Sequence, residues 1–166
     1  MALRFDNIQS LISFLPELML GLTVIILFSL TALLSKEGEG GRSEGIAAGV
    51  GLLCAAFLLA FGGDYSRTGF LFHGLLALDP FAVFFKALAL ASAFLAVLFS
   101  LPSREIQRTE QAEYYTLLVS LTLGVCVMAS AANLLMLYLS IEFVSLMSYL
   151  LTGMPKKNKQ AAEAAL

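Results

Sequence analysis

The chain is poor in the residues that carry most soluble chemistry. It has 166 residues, no tryptophan, one histidine, two cysteines and four prolines, and only 13% of it is charged. A lone His73 leaves no histidine pair, and Cys54 and Cys126 form no C-x-x-C, so a zinc or redox motif has no ligands in register. Gly38, Gly40 and Gly41 lack the flanking strand and lysine of a phosphate-cradling loop. A net charge of −2 with no Lys/Arg cluster excludes a nucleic-acid groove. Nothing in the chain can house a nucleotide or an iron–sulfur cluster. Missing tryptophan removes one interfacial anchor and leaves Tyr65, Tyr114, Tyr115, Tyr138 and Tyr149 as candidates for that place.

What is abundant is apolar sequence. Fifty-nine per cent of residues are hydrophobic, and they fall in long runs. A spanning helix needs about 20 mostly apolar residues. Five spans meet this: 11–34, 44–61, 80–101, 114–130 and 134–154. The first is too long, and its basic start too weak, for a cleaved signal peptide. The fold class expected is therefore an all-α integral membrane protein. Residues 1–154 form its five-helix region, and residues 155–166 a cytoplasmic loop with the start of a sixth helix.

Orientation follows from the basic residues. With five spans, one side receives Arg4 and Arg67; the other receives Lys36, Arg42, Arg104, Arg108, Lys156, Lys157 and Lys159. The positive-inside bias places the N-terminus outside and the richer loops in the cytoplasm. "FLFHGLLAL" (70–78) is apolar but too short to cross. It reads as an outer β-hairpin turning at His73-Gly74 or as a flap on the membrane surface. His73 reads as a turn residue.

Ionisable residues inside the spans are the candidate sites, because a charge in hydrocarbon is costly and marks ion or proton pathways. Glu142 sits near the middle of "NLLMLYLSIEFVSLMSYLLTG". At 100° per residue, Tyr138, Ser145, Tyr149 and Thr152 share its face. This polar stripe suits a proton relay facing other helices or internal water, and a static interhelix hydrogen bond is the alternative. Lys86 lies about two turns into the third span with Asp79 on the same face. It either points into protein or snorkels to the interface. Glu17, after Pro16, reads as an outer-interface residue at a bent helix start. Glu113 reads as an N-terminal charge on the fourth helix and Glu163 as one on the sixth; both are second-line relay candidates. Gly45 and Gly49, and Thr116, Ser120 and Gly124, form small-residue ridges for helix contact.

Several pieces taken together resemble a known family. They are "LPELML", "LDPFAVFFK", "EYY", the 133–153 segment and "EAAL". The chain looks like the subunit N family of proton-pumping NADH–quinone oxidoreductase (respiratory complex I), one of the antiporter-like membrane subunits. The resemblance implies a fourteen-helix fold of which this chain is the first part. It implies that Glu142 matches the family's fifth-helix glutamate, which pairs with a lysine on a seventh helix. Lys86 matches the lysine of the "DPF…FK" segment, and Glu163 the glutamate opening the sixth helix. Tyr138, Ser145 and Tyr149 would line the route. No cofactor is expected on this chain; NADH, FMN, iron–sulfur clusters and quinone would belong to other subunits. Those subunits and the lipid bilayer are the expected partners, and the bacterial inner membrane the expected location. The chain stops before the partner lysine, so it reads as an N-terminal fragment that does not pump alone. Mrp-type cation/proton antiporters and membrane-bound hydrogenases use similar subunits. A non-catalytic membrane scaffold is the reading from a different class.

Overall fold

The structure is a computed structural model that describes residues 3–4, 7–34, 42–62, 68–102 and 108–154. In chain order the elements are β1 (Leu3–Arg4), α1 (Asn7–Ser13), α2 (Leu15–Leu34), α3 (Arg42–Phe61), β2 (Gly69–Leu71), β3 (Leu76–Leu78), α4 (Pro80–Ser100), α5 (Arg108–Ala129) and α6 (Leu134–Thr152). Four helices are long and apolar enough to cross a membrane, and α2 adds a shorter apolar stretch, Leu15–Thr31. The multi-pass helical architecture stands as expected.

The first span is not one continuous helix. It breaks at Phe14, and Pro16 supplies the cause: it has no N–H to donate to the carbonyl four residues back, and its ring crowds that carbonyl. The Phe14 N–H still bonds the carbonyls of Ser10 and Leu11, and Leu18 N–H bonds the Phe14 carbonyl, so the chain is jogged rather than interrupted. Two other helix starts are fixed by side chains. Asp79 accepts from Ala82 N–H at 2.7 Å with Pro80 as the first helical residue of α4. Asn133 accepts from Met136 N–H at 2.8 Å and starts α6. Asp79 is thus a cap and not a partner of Lys86. Helix α5 begins six residues before the expected 114, because a helix needs no apolar residues once it leaves the hydrocarbon. Glu113 is therefore inside α5 and exposed, rather than the opening charge.

Of the two readings of the short apolar run, hairpin and surface flap, the structure shows the hairpin. β2 pairs antiparallel with β3 in the register Phe70 to Ala77, around a 3₁₀ turn at Phe72–Gly74. The turn holds three residues at positive φ: Phe72 (49°), His73 (59°) and Gly74 (96°). Gly74 meets this with no Cβ penalty. The sequence did not disclose β1, which pairs parallel with β2. Ala77 N–H bonds the Ser130 carbonyl at 2.7 Å and Ala132 N–H the Leu75 carbonyl at 3.0 Å, so the hairpin is tied to the α5–α6 turn. The sheet therefore caps the end of the bundle where α1 and α4 begin, α5 ends and α6 begins. At the opposite end the start of α3 meets Leu101 and Tyr115. Successive long helices run antiparallel.

Packing follows small residues, as the ridges suggested. A Cβ on Gly124 would lie 2.7 Å from Phe143, one on Gly45 2.7 Å from Leu101, and one on Gly51 against Thr23. The core is built on Leu20, Leu27, Leu52, Leu90, Val97 and Val119. Tyr115 is buried in it, with its hydroxyl 3.1 Å from Ser100 Oγ, and so is not an interfacial anchor. Many serine and threonine hydroxyls within the spans bond the preceding helical turn, as Ser120 does on the Thr116 carbonyl at 2.8 Å. Large apolar side chains such as Phe28, Phe57, Phe84 and Phe99 point outward. On a soluble protein that array would be a gross liability; at membrane depth such a surface suits lipid or further membrane helices.

Candidate functional site

The structure separates the expected site residues into two places and adds Glu17 to them. The first place is the outer face of α6. Helix α6 packs on α5 through Ser140, Phe143 and Val144, with Gly124 of α5 admitting the last two. Glu142 is two residues from Ser140, about 200° around the helix, so it points away from α5. It is exposed, as are Tyr138 and Tyr149, and Ser145 is partly covered. Only 6% of the α6 span is buried, against 44% of α5. The polar stripe exists as a surface, and no described helix covers it.

Below that stripe, at the end of the bundle away from the sheet, Tyr149 does meet another candidate. With Glu113, Thr31 and Thr116 it borders a groove of about 590 Å³ between α2, α5 and α6. Glu113 and Tyr149 therefore share one opening, whereas Glu142 and Lys86 do not share a site. Glu163 and the 155–166 segment lie outside the described residues.

The second place is buried between α2 and α4. Lys86 does not snorkel: its Nζ lies 2.5 Å from Glu17 Oε1, and the two side chains are 3% and 1% exposed. Glu17 is consequently not an interface residue. It occupies the stripe of α2 that continues through Leu20, Thr23 and Leu27, all buried. Such spacing at i, i+3, i+6 and i+10 is one helix face, so Glu17 belongs to the buried stripe and not to a bent helix start at the interface. A second signal was also present. Glu17 lies six residues into the predicted first span (11 to 17) and Lys86 six into the third (80 to 86). Both spans run inward from the same side, so opposite charges sit at matching depth.

The contact between them is electrostatic rather than a well-aligned hydrogen bond. Neither Glu17 oxygen has a hydrogen-bond partner among the described residues, although Oε1 touches the ammonium. Cys126 of α5 is buried and within electrostatic range of both groups. Cys54 faces outward on α3, so the two thiols have no common site. No group of three His, Cys, Asp or Glu side chains able to hold a metal ion occurs among the described residues.

Antiparallel apolar helices with an acid on an outward face and an ion pair sealed between helices define a multi-pass membrane protein that keeps ionisable groups at membrane depth. No protein-family model matches the chain. Individual proteins do: the chain is homologous over nearly its whole length to NADH–quinone oxidoreductase subunit N. It is 36% identical to that subunit of Anaeromyxobacter sp. over 161 residues, which are 97% of this chain and 31% of the relative. It is 35% identical to subunit N 2 of Sorangium cellulosum over 174 residues, 97% of this chain and 33% of the relative. A shorter match to subunit N 2 of Chloroherpeton thalassium is 46% identical over 98 residues, 57% of this chain and 19% of the relative. The chain thus spans about a third of the length of the curated relatives it matches.

Proposed function

We propose that this chain supplies part of the proton-translocating membrane machinery of an NADH–quinone oxidoreductase, with Glu142 as a proton-relay carboxyl. The observation that carries this is a carboxylate midway along a spanning helix, on its uncovered face, in a chain homologous to subunit N. A charged Glu142 facing hydrocarbon would cost about 2.5–3.5 kcal/mol on insertion scales. That cost is relieved by protonation or by an approaching helix that brings polar or cationic groups. A carboxyl poised between those two reliefs is able to change protonation as its surroundings change. Tyr138, Ser145 and Tyr149 on the same stripe offer hydroxyls along which a proton can pass to or from it. Glu113, in the groove bordered by Tyr149, sits where the end away from the sheet opens toward that stripe.

Electron transfer would take place on other subunits, which would hold the NADH site, FMN, iron–sulfur clusters and quinone. The chain's role is confined to protons, and its partners are the neighbouring membrane and peripheral subunits and the lipid of a bacterial inner membrane. The test is Glu142→Gln in the full-length subunit within the assembled enzyme. The neutral isostere keeps a hydrogen bond but cannot hold a charge. Proton translocation per NADH oxidised should fall with assembly intact. Unchanged translocation would leave Glu142 a structural hydrogen bond and favour the scaffold reading.

A further inference from the structure

The buried pair between α2 and α4 is a titratable site that the Glu142 route does not use. Glu17 and Lys86 are almost fully enclosed, yet the Glu17 carboxylate accepts no aligned hydrogen bond among the described residues. A carboxylate that is only structural is ordinarily fixed by several donors. A buried ion pair, moreover, is weak evidence for stability, since desolvating two charges offsets much of their attraction. A static clip between helices could be built from apolar side chains at less cost. Resting on the reading that this chain belongs to a proton pump, we propose that Glu17 and Lys86 form a second proton-exchanging site, in which Glu17 takes up and releases a proton at Oε2 through a bound water.

The chemistry balances on these groups alone. A protonated water gives its proton to Oε2, an O–H bond forms and neutral water remains; Lys86 keeps its three N–H bonds and loses its counter-charge. The reverse step restores the ion pair. The surroundings set which side such a water reaches. Towards the sheet, Leu71, Leu76 and Leu78 with Phe14 and Phe72 make an apolar plug, Phe14 standing three residues before Glu17. Phe14 and Phe72 meet edge to face at 5.5 Å. Asp79 and His73 lie at or beyond that plug. Of the other titratable groups on the packed helices, Cys126 of α5 is within electrostatic range of the pair. Glu44 of α3 and Glu113 of α5 lie towards the other end of the bundle, and Glu142 of α6 faces away. The proton therefore reaches Glu17 from within the bundle unless the plug opens.

The experiment uses the assembled enzyme carrying the full-length subunit and records turnover-induced infrared difference spectra. Glu17→Asp keeps a carboxylate of shifted stretch frequency. A carboxyl band displaced in that variant and unchanged by Glu142→Gln is the expected result. The double variant Glu17→Leu/Lys86→Met replaces the pair by apolar side chains. It should lose the band and translocate fewer protons per electron pair while remaining assembled. Spectra of Glu17→Asp identical to the parent's, or full translocation in the double variant, would overturn the site; if the double variant fails to assemble, the Glu17→Asp spectra decide alone. Loss of pumping in Glu142→Gln together with unchanged Glu17→Asp spectra would sink this inference and leave the proposed function standing. Full pumping in Glu142→Gln would count against the proposed function instead.

Discussion

At the residue scale, the contrast between Glu17 and Glu142 shows how position decides what a carboxylate does in a membrane. Glu17 has a fixed counter-charge and is enclosed; Glu142 has neither cover nor partner among the described residues. Removing one member of a buried pair leaves the other charge uncompensated, which costs about 3–5 kcal/mol. Lys86→Met alone should therefore lower the thermal stability of the membrane region strongly. The double apolar variant should recover most of that loss. Heating detergent-solubilised protein and following aggregation of each variant measures both effects. Glu142→Gln should leave the same transition nearly unchanged, because the side chain makes no packing contact with α5. Stability and pumping are thus expected to separate at Glu142, whose replacement moves only the second, whereas Lys86→Met moves both.

At the scale of elements, apolar run length carried most of what could be read. All five apolar runs became helices, and the run too short to cross, which read equally as a hairpin or a surface flap, became a hairpin. The misreadings have physical causes. Pro16 broke the first run, since a proline one turn inside an apolar stretch removes a bond that hydropathy does not count. Arg42 and Arg108 begin helices that start outside the hydrocarbon, where apolarity is no guide. β1 rests on pairing between residues 3–4 and 69–70, a long-range contact with no local signature. The Glu17–Lys86 pair was legible in principle from depth and face, but only when the two spans were read together. The small-residue ridges were informative singly. Gly124 lets α6 approach α5 so closely that a Cβ would press on Phe143 and Val144. Gly124→Leu should force the two helices apart, at a cost of about 1–3 kcal/mol or more. A cysteine pair engineered across that seam should then cross-link more slowly than in the parent. Asp79→Ala should cost about 1 kcal/mol through the lost cap on α4, read as a small drop in thermal midpoint.

At the scale of the whole molecule, the bundle has two unlike ends. One carries the three-stranded sheet, tied to the α5–α6 turn and backed by an apolar cluster. By the spans expected from the sequence, seven of the nine basic residues outside them belong with the other end, and Arg4 and Arg67 with the sheet end. The antiparallel helices set which helix ends lie together, and the charge bias predicts that the end away from the sheet faces the cytoplasm. The sheet is then expected on the outside. Thr68 and Pro102 are exposed markers of the two ends, Thr68 beside β2 and Pro102 just beyond α4. In a background with Cys54 and Cys126 replaced by alanine, Thr68→Cys should react with a membrane-impermeant maleimide in intact spheroplasts. Pro102→Cys should react only after the membrane is permeabilised. The reverse pattern would invert the orientation. It would also move the apolar plug above Glu17 and Lys86 to the cytoplasmic side, and the groove bordered by Glu113 and Tyr149 to the outside.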